Sequence, residues 1–374
     1  MKFAVITHVS HTWKDNQYFG YAPYVREMNV WLKNIDELIL VAPLGPKSPT
    51  LIDLPYEHDK IDFKEVPDFS LTNFKEIIKA IFKLPVIFWR VFWAMKKADH
   101  IHLRCPGNMG LIGCIVQVLF PHKEKTAKYA GNWDPQSKQP WTYKLQKYIV
   151  SNVFLTRNMK VLVYGDWKNK TKNIVPFFTA TYLESEKTVV QKEPFNAGIK
   201  FAFVGSLVEG KNPLYAIKLA EQLAIKGFDV VLNVYGDGIQ RDSLEAYIKN
   251  KQLENTVFLY GNQNQDTIKQ ALQKSHFVVL PSKSEGWPKA IAEGMFWGCL
   301  PIATKVSCVP FMLADEERGL LLEMKIEQDV LKLEKALKDE SDYTLKSQKA
   351  LVWSREYTLE VFEKEINKIL HHEA

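Results

Sequence analysis

Two glutamates eight positions apart, Glu285 and Glu293, stand in the stretch "LPSKSEGWPKAIAEGMFWGCLPIAT" (280–304). An apolar run ends at Leu280, a polar loop follows, Pro288 opens a helix and Gly298 closes it. One carboxylate is therefore expected in a loop before a helix and the other on that helix, near an amino terminus whose dipole suits anions. Ionised carboxylates accept paired hydrogen bonds from sugar hydroxyls, of a ribose or of a hexose. Alone, Glu285 reads as well as a capping acid, and Glu293 as a solvated helix residue.

A second stretch, "GSLVEGKNP" (205–213), comes close to a P-loop. Gly205, Gly210 and Lys211 fit that pattern, but Asn212 stands where a hydroxyl should bind magnesium. A Walker ATPase also needs an acidic strand end, and "HFVVLPS" (276–282) ends in Pro and Ser. What remains is a strand–loop–helix turn whose backbone N–H groups and Lys211 can meet phosphate oxygens, or else a plain turn with a surface lysine. In "YGDGIQRDSL" (235–244), Gly236 and Gly238 follow a strand, but Arg241 takes the place of the third glycine of a dinucleotide fingerprint. The segment reads as a tight turn.

These stretches sit among short apolar runs that alternate with amphipathic ones. Strands are predicted at 2–7, 37–41, 100–103, 127–130, 160–164, 200–204, 230–235, 257–260, 277–280, 300–303 and 320–322. Ala216, Leu219, Ala220 and Leu223 mark one face of an intervening helix. Strands alternating with helices predict parallel sheets covered on both faces. The polar, aperiodic run 179–198 breaks the rhythm. The expected fold class is α/β: two doubly wound Rossmann-like domains facing a central cleft. The expected boundaries are 1–180, a first Rossmann-like domain; 181–198, a linker; 199–352, a second Rossmann-like domain; and 353–374, a helix packing back on the first domain.

Composition narrows the class. The chain has 374 residues and is 46% hydrophobic and 25% charged, which predicts packed cores. Cys105, Cys114, Cys299 and Cys308 form no C-x-x-C pair and lie in or beside apolar segments, so neither a disulfide frame nor a zinc site is expected. "MKFAVITHVSHTW" reads as a first buried strand, not a signal peptide, and no stretch is apolar enough to span a membrane. Net charge is +6, but residues 121–174 hold eleven Lys/Arg against three Asp/Glu, and the remainder is slightly acidic. A basic half implies an anionic partner, a membrane surface or a phosphorylated acceptor.

Together the motifs resemble the retaining group 1 (family 4) glycosyltransferases, which have the GT-B fold. Glu285 and Glu293 match that family's E-x7-E pair, "VGSLVEGKNP" its phosphate loop, "VYGDGIQRDSL" its G-x-G-x-x-R turn and "VFLYG" the following strand; the match covers about 201–323. The resemblance implies transfer of a hexose or related sugar from a nucleoside diphosphate to a hydroxyl acceptor, with retention, without metal or further cofactor, in cell-surface polysaccharide or glycolipid synthesis. Lys211 would contact the diphosphate, with Gly205, Ser206, Gly236 and Arg241 around it. Backbone N–H groups of Gly286 and Trp287 would approach the phosphates. Glu285 would hold the donor sugar and Glu293 the ribose; the base would lie near Tyr260, Gly261 and Asn262. Ser206 departs from the family's arginine, leaving Arg241 or Lys283 to substitute. In the first half the resemblance is looser. Gly20 and Tyr21 are the nearest counterpart of a Gly-Gly pair. In "ADHIHLRCPGNMG", His102 matches a first strand histidine and Arg104 replaces the second. His102 is an acceptor-site residue or a core histidine; Arg104 is assigned a catalytic charge. Asn132, Trp133 and Asp134 recognise the acceptor or only form a turn. A nucleotide-sugar epimerase and a non-catalytic binder of nucleotide sugars are the rival readings.

The basic, aromatic segments 79–97 and 140–160 read either as surfaces for an anionic membrane or as core helices with snorkelling lysines. No nucleic-acid motif accompanies the charge. The expected location is the cytoplasm, peripheral at the inner face of the membrane.

Overall fold

A computed structural model describes residues 1–45, 48–69, 74–168 and 170–371, with the backbone alone for 74–81. The chain divides into two compact units, Met1–Phe178 with Glu363–Ala374, and Thr179–Phe362. Residues 372–374 of the expected terminal helix, and the side chains of 79–81 in the first basic segment, lie outside the described residues.

The first unit holds β1 (Lys2–Ile6), β2 (His11–Lys14), β3 (Gln17–Tyr21), α1 (Ala22–Leu32), β4 (Glu37–Ala42), β5 (Asp53–Pro55), β6 (Ile61–Glu65), α2 (Phe74–Lys97), β7 (His100–Cys105), α3 (Asn108–Val116), β8 (Glu124–Tyr129), α4 (Trp141–Ser151), β9 (Met159–Tyr164) and β10 (Ile174–Phe177). Seven strands form a parallel sheet in the order β10-β9-β8-β7-β1-β4-β6. The chain leaves β1 toward one edge and then returns to build the other, so the order reverses between β1 and β7. Buried side chains of α2, α3 and α4 share one core against the sheet, as right-handed crossovers in one direction require. β2, β3 and β5 make a small antiparallel sheet.

The second unit holds β11 (Ile199–Val204), α5 (Pro213–Ile225), β12 (Val230–Tyr235), α6 (Arg241–Asn250), β13 (Val257–Gly261), α7 (Gln265–Lys274), β14 (Phe277–Leu280), α8 (Lys289–Phe296), β15 (Leu300–Thr304), α9 (Val309–Leu313), β16 (Leu320–Leu322), α10 (Ile326–Lys338), α11 (Glu340–Ser354) and the start of α12 (Leu359–His371). Its six strands are all parallel, in the order β13-β12-β11-β14-β15-β16, and reverse between β11 and β14. The second part of α12 joins the first unit, where Glu363 pairs with Lys33 at 2.5 Å and Asn367 accepts a hydrogen bond from Asn34 at 2.6 Å. The α/β class with two Rossmann-like parallel sheets is thus the one observed.

β8 begins three residues before its expected start. Lys125 and Lys128 look like surface residues in the sequence, yet both side chains are buried. Their ammonium groups reach out of the sheet to the carbonyls of Phe120 at 2.9 Å and Phe178 at 2.7 Å. Two of the eleven cations counted in 121–174 are therefore interior.

Candidate donor site and the strand ends of the first unit

In open parallel sheets, ligands sit beyond the carboxyl ends of the strands where the order reverses. In the second unit that point lies between the loop after β11 and the loop after β14. These are the stretches that carry Lys211 and Glu285.

Backbone hydrogen bonds join four strand-end loops into one surface. Gly205 N–H donates to Tyr235 O at 2.9 Å, Leu207 N–H to Asp237 O at 2.9 Å, Gly236 N–H to Gly261 O at 2.8 Å and Lys283 N–H to Gly210 O at 2.8 Å. The glycines of the G-x-G turn make this contact possible. A Cβ on Gly236 would fall 2.0 Å from the Gly205 carbonyl oxygen, and one on Gly238 would fall 2.5 Å from that of Leu207. Gly236 also has φ +131, a conformation that side chains disfavour. Gly210, by contrast, has open space around it, so packing does not demand the glycine that made the loop resemble a P-loop.

Lys211 Nζ lies 2.5 Å from Glu285 Oε1, with the lysine side chain 31% exposed and the carboxylate 7%. Asn212, in the left-handed region, turns the chain so that Pro213 can start α5. The Glu285 loop is held from behind: Ser307 Oγ and Cys308 Sγ donate to the Gly286 carbonyl at 3.2 and 3.1 Å. Burial pushes the Cys308 thiol up to about 12, with Glu285 adding to the shift, so Cys308 is a packing and donor group here. Trp287 turns its indole onto Trp353 (6.1 Å between ring centres) and Tyr357 (5.5 Å). That leaves its backbone, not its ring, for the loop surface.

Pro288 caps α8, and Glu293 stands inside that helix, half-buried, its Oε1 accepting from Thr181 Oγ1 at 2.8 Å. Tyr260, near the end of β13, is exposed and stacks on Tyr235 at 5.0 Å and 11°; Gly261 ends the strand and Asn262 follows it. A Cβ on Gly261 would lie 3.4 Å from the Arg241 guanidinium. Arg241 is already paired with Glu245 at 2.8 Å, and Asp237 lies at 3.9 Å. Lys283, the other proposed substitute for the missing arginine, is paired with Glu209 at 2.5 Å. Ser206 is exposed on the β11 loop.

The first unit corrects several expectations. His102 is not at a site. It is fully buried, Nδ1 2.8 Å from Thr126 Oγ1, its ring packed on Phe3 and Trp31. Burial, then the Arg104 charge, depresses its pKa to about 3. Arg104 does reach the end of β7, but it meets Glu27 at 2.8 Å, and the two side chains are only 11% and 1% exposed. Its charge is met inside the unit, which removes the ground for assigning it a catalytic role. Gly20 belongs to β3, where it pairs with His11 of β2; a Cβ there would meet Val25 and His11 at 3.2 and 3.4 Å. Tyr21 is exposed before α1. Asn132, Trp133 and Asp134 build a turn: Asn132 Oδ1 accepts from Asp134 N–H at 2.8 Å, and Lys147 donates to the Trp133 carbonyl at 2.8 Å. The Trp133 ring is buried against Tyr129, so the ring itself serves the core.

What sequence reasoning missed is a cavity of about 220 Å³ at the reversal point of this sheet, lined by His8, Asp68, Phe69, Gly107, Asn108 and Tyr143 among others. Partial burial and the nearby Arg104 lower the His8 imidazole below its ordinary value, against the pull of Asp68. A lone histidine two residues past β1 was the available signal. Among the described residues, no group of three or more His, Cys, Asp or Glu is placed to hold a metal ion, and the four cysteines are free thiols.

With this geometry in place, residues 185–352 match the family model described as Glycosyl transferases group 1. An uncharacterized glycosyltransferase of Methanocaldococcus jannaschii is 30% identical over 136 residues, 36% of each chain. A Campylobacter jejuni N-acetylgalactosamine-N,N'-diacetylbacillosaminyl-diphospho-undecaprenol 4-alpha-N-acetylgalactosaminyltransferase is 30% identical over 128 residues, 34% of each chain. The alignments thus span about a third of these two relatives. In fold the chain is similar to Anabaena Alr3699/HepE, solved with UDP and glucose, at a TM-score of 0.72 and 14% identity over all of both chains. The segment that carries Glu285, Glu293 and Lys211 therefore matches the model of the group 1 glycosyl transferases, in a chain with the GT-B fold.

Proposed function

We propose that the protein transfers a sugar from a nucleoside diphosphate to a hydroxyl of a glycan or lipid-linked glycan, with retention at the anomeric carbon and without a metal ion, in cell-surface polysaccharide or glycolipid synthesis. The observation that carries this reading is the Lys211–Glu285 pair at the reversal point of the second sheet, 2.5 Å across, with its cation open to solvent. A diphosphate offers Lys211 a second anion and leaves Glu285 to accept from sugar hydroxyls. Lys211 and the N–H groups of Gly286 and Trp287 then meet the charge that grows on the leaving diphosphate. Glu293, one helical segment on, takes the ribose; the Tyr260–Tyr235 stack offers a face to the base. The names of the relatives support a carbohydrate acceptor, and a lipid diphosphate carrier is in the Campylobacter enzyme's name. The UDP bound to HepE makes UDP sugars the first donors to assay.

Incubation with a panel of UDP, GDP and ADP sugars tests the reading. Slow release of free diphosphate, with the freed or transferred sugar keeping its anomeric configuration by NMR, supports it. An isomerised donor marks an epimerase, and binding without turnover marks a non-catalytic binder; either outcome overturns it.

A further inference from the structure

The outer faces of α2, α3 and α4 carry a surface that glycosyl transfer does not use. On α2, Ile87, Val91, Ala94 and Met95 face the core. Nearly opposite on the helical wheel, Phe82, Val86, Trp89 and Trp93 form one stripe at steps of four, three and four. All four are exposed, Phe82 by 79% and Trp89 by 63%. Arg90 and Lys97 flank the stripe on one side. Lys96 flanks it on the other, its Nζ 4.5 Å over the Trp93 ring.

The surface continues beyond the helix. Phe92 contacts Phe120 at 5.3 Å, and Lys123 Nζ donates to the Lys96 carbonyl at 2.8 Å, beside exposed Val118 and Leu119. On α4 and the turn after it, Tyr148 and Phe154 are exposed, with the Arg157 guanidinium 4.8 Å over the Phe154 ring. Residues 82–97, 108–123 and 141–158 hold eight Lys or Arg and no Asp or Glu.

That composition selects a partner. A second copy docked face to face would set cations against cations. A nucleic acid would match the charge but not the exposed Phe82–Trp93 stripe. A bilayer with anionic headgroups matches both: Trp and Tyr rings settle at the interface, and Lys and Arg meet lipid phosphates. We infer that this face docks on a membrane surface rich in anionic phospholipid, with the α2 stripe inserted to headgroup depth. The inference does not rest on the transferase reading.

The test is flotation of the full chain with vesicles of phosphatidylcholine alone or mixed with phosphatidylglycerol. Binding to the mixed vesicles only, weakening as salt rises, is expected. Phe82→Ser with Trp89→Ser should lower partitioning at least about tenfold, and Arg90→Ser or Lys97→Ser about fivefold each. Leu331→Ser, an exposed apolar change on α10, should leave it unaltered, as should the thermal midpoint of every variant. Equal binding to both vesicle types, no binding to either, or stripe variants that bind as well as wild type would overturn the inference. So would self-association of the wild type in sedimentation that Trp89→Ser abolishes, since the face would then be a protein interface.

Discussion

Two carboxylate–cation pairs, one in each unit, are alike as contacts and differ in what they leave over. Lys211 and Glu285 meet at 2.5 Å with the lysine a third exposed. Arg104 and Glu27 meet at 2.8 Å with both side chains nearly closed off, and the guanidinium lies 5.4 Å from the Tyr24 ring centre. The open pair can exchange one anion for another at little cost, because water already shares in its solvation. The closed pair cannot: both charges are desolvated, so moving either one away leaves its partner buried without its counter-charge. A cation at the carboxyl end of a strand becomes evidence for phosphate binding only once its own local partner is known.

The largest effect should come from breaking the closed pair. Glu27→Gln leaves a buried guanidinium short of its counter-charge, and a loss of about 3–5 kcal/mol is expected in denaturant unfolding. Lys211→Ala, the matching break in the open pair, should change stability far less. Equal losses in the two variants would erase the distinction.

The interior of the first unit should also be the acid-sensitive one. Burial holds His102 at about 3 and His11 at about 4, against 6.5 in an open chain. Below about pH 6.5 the unfolded chain takes up protons that these folded imidazoles refuse. Their contribution is therefore intact above that pH and is lost as pH falls toward about 3, at up to about 1.4 kcal/mol per pH unit for each group. His102→Gln should flatten the slope of stability against pH between about 6 and 4. A slope unchanged from wild type would show that His102 is not the group responsible.

Glu285→Gln keeps the shape of the open pair and removes its charge. About a hundredfold fall in turnover is expected, with a much smaller change in calorimetric affinity for free UDP. Parallel losses in both would move Glu285 from the sugar to the nucleotide. The smallest effects separate two kinds of glycine. Gly236→Ala should destabilise by about 1–3 kcal/mol, because its Cβ would collide with the Gly205 carbonyl and its φ is positive. Gly210→Ala, with nothing within 4 Å, should stay within about 0.5 kcal/mol.

The second unit was far more legible than the first. Its site residues follow their strands within a few positions, so local order places them: Lys211 six residues after Gly205, Glu285 five after Leu280. Parallel strands buried on both faces read as nearly continuous apolar runs; β14 holds no polar residue, and β11, β12 and β15 hold one each, Lys200, Asn233 and Thr304. β8 was cut short because buried lysines mimic surface ones. The small sheet of β2, β3 and β5 escaped notice because its strands carry no such runs.

Sequence alone determined that the chain is α/β, where its main parallel strands run and which loops hold the carboxylates, because those features depend on periodicity and neighbours in the chain. Only the tertiary structure decided which charges are spent and which remain. Glu27 lies unmarked in an amphipathic helix, 77 residues from Arg104, and nothing local announces that the two will meet. The same distance hid the fate of His102, whose burial depends on Phe3, Trp31 and Thr126 from three other elements. Solvation and pairing belong to the assembled neighbourhood, so a residue type at a strand end names a possible chemistry, and packing decides whether it is available.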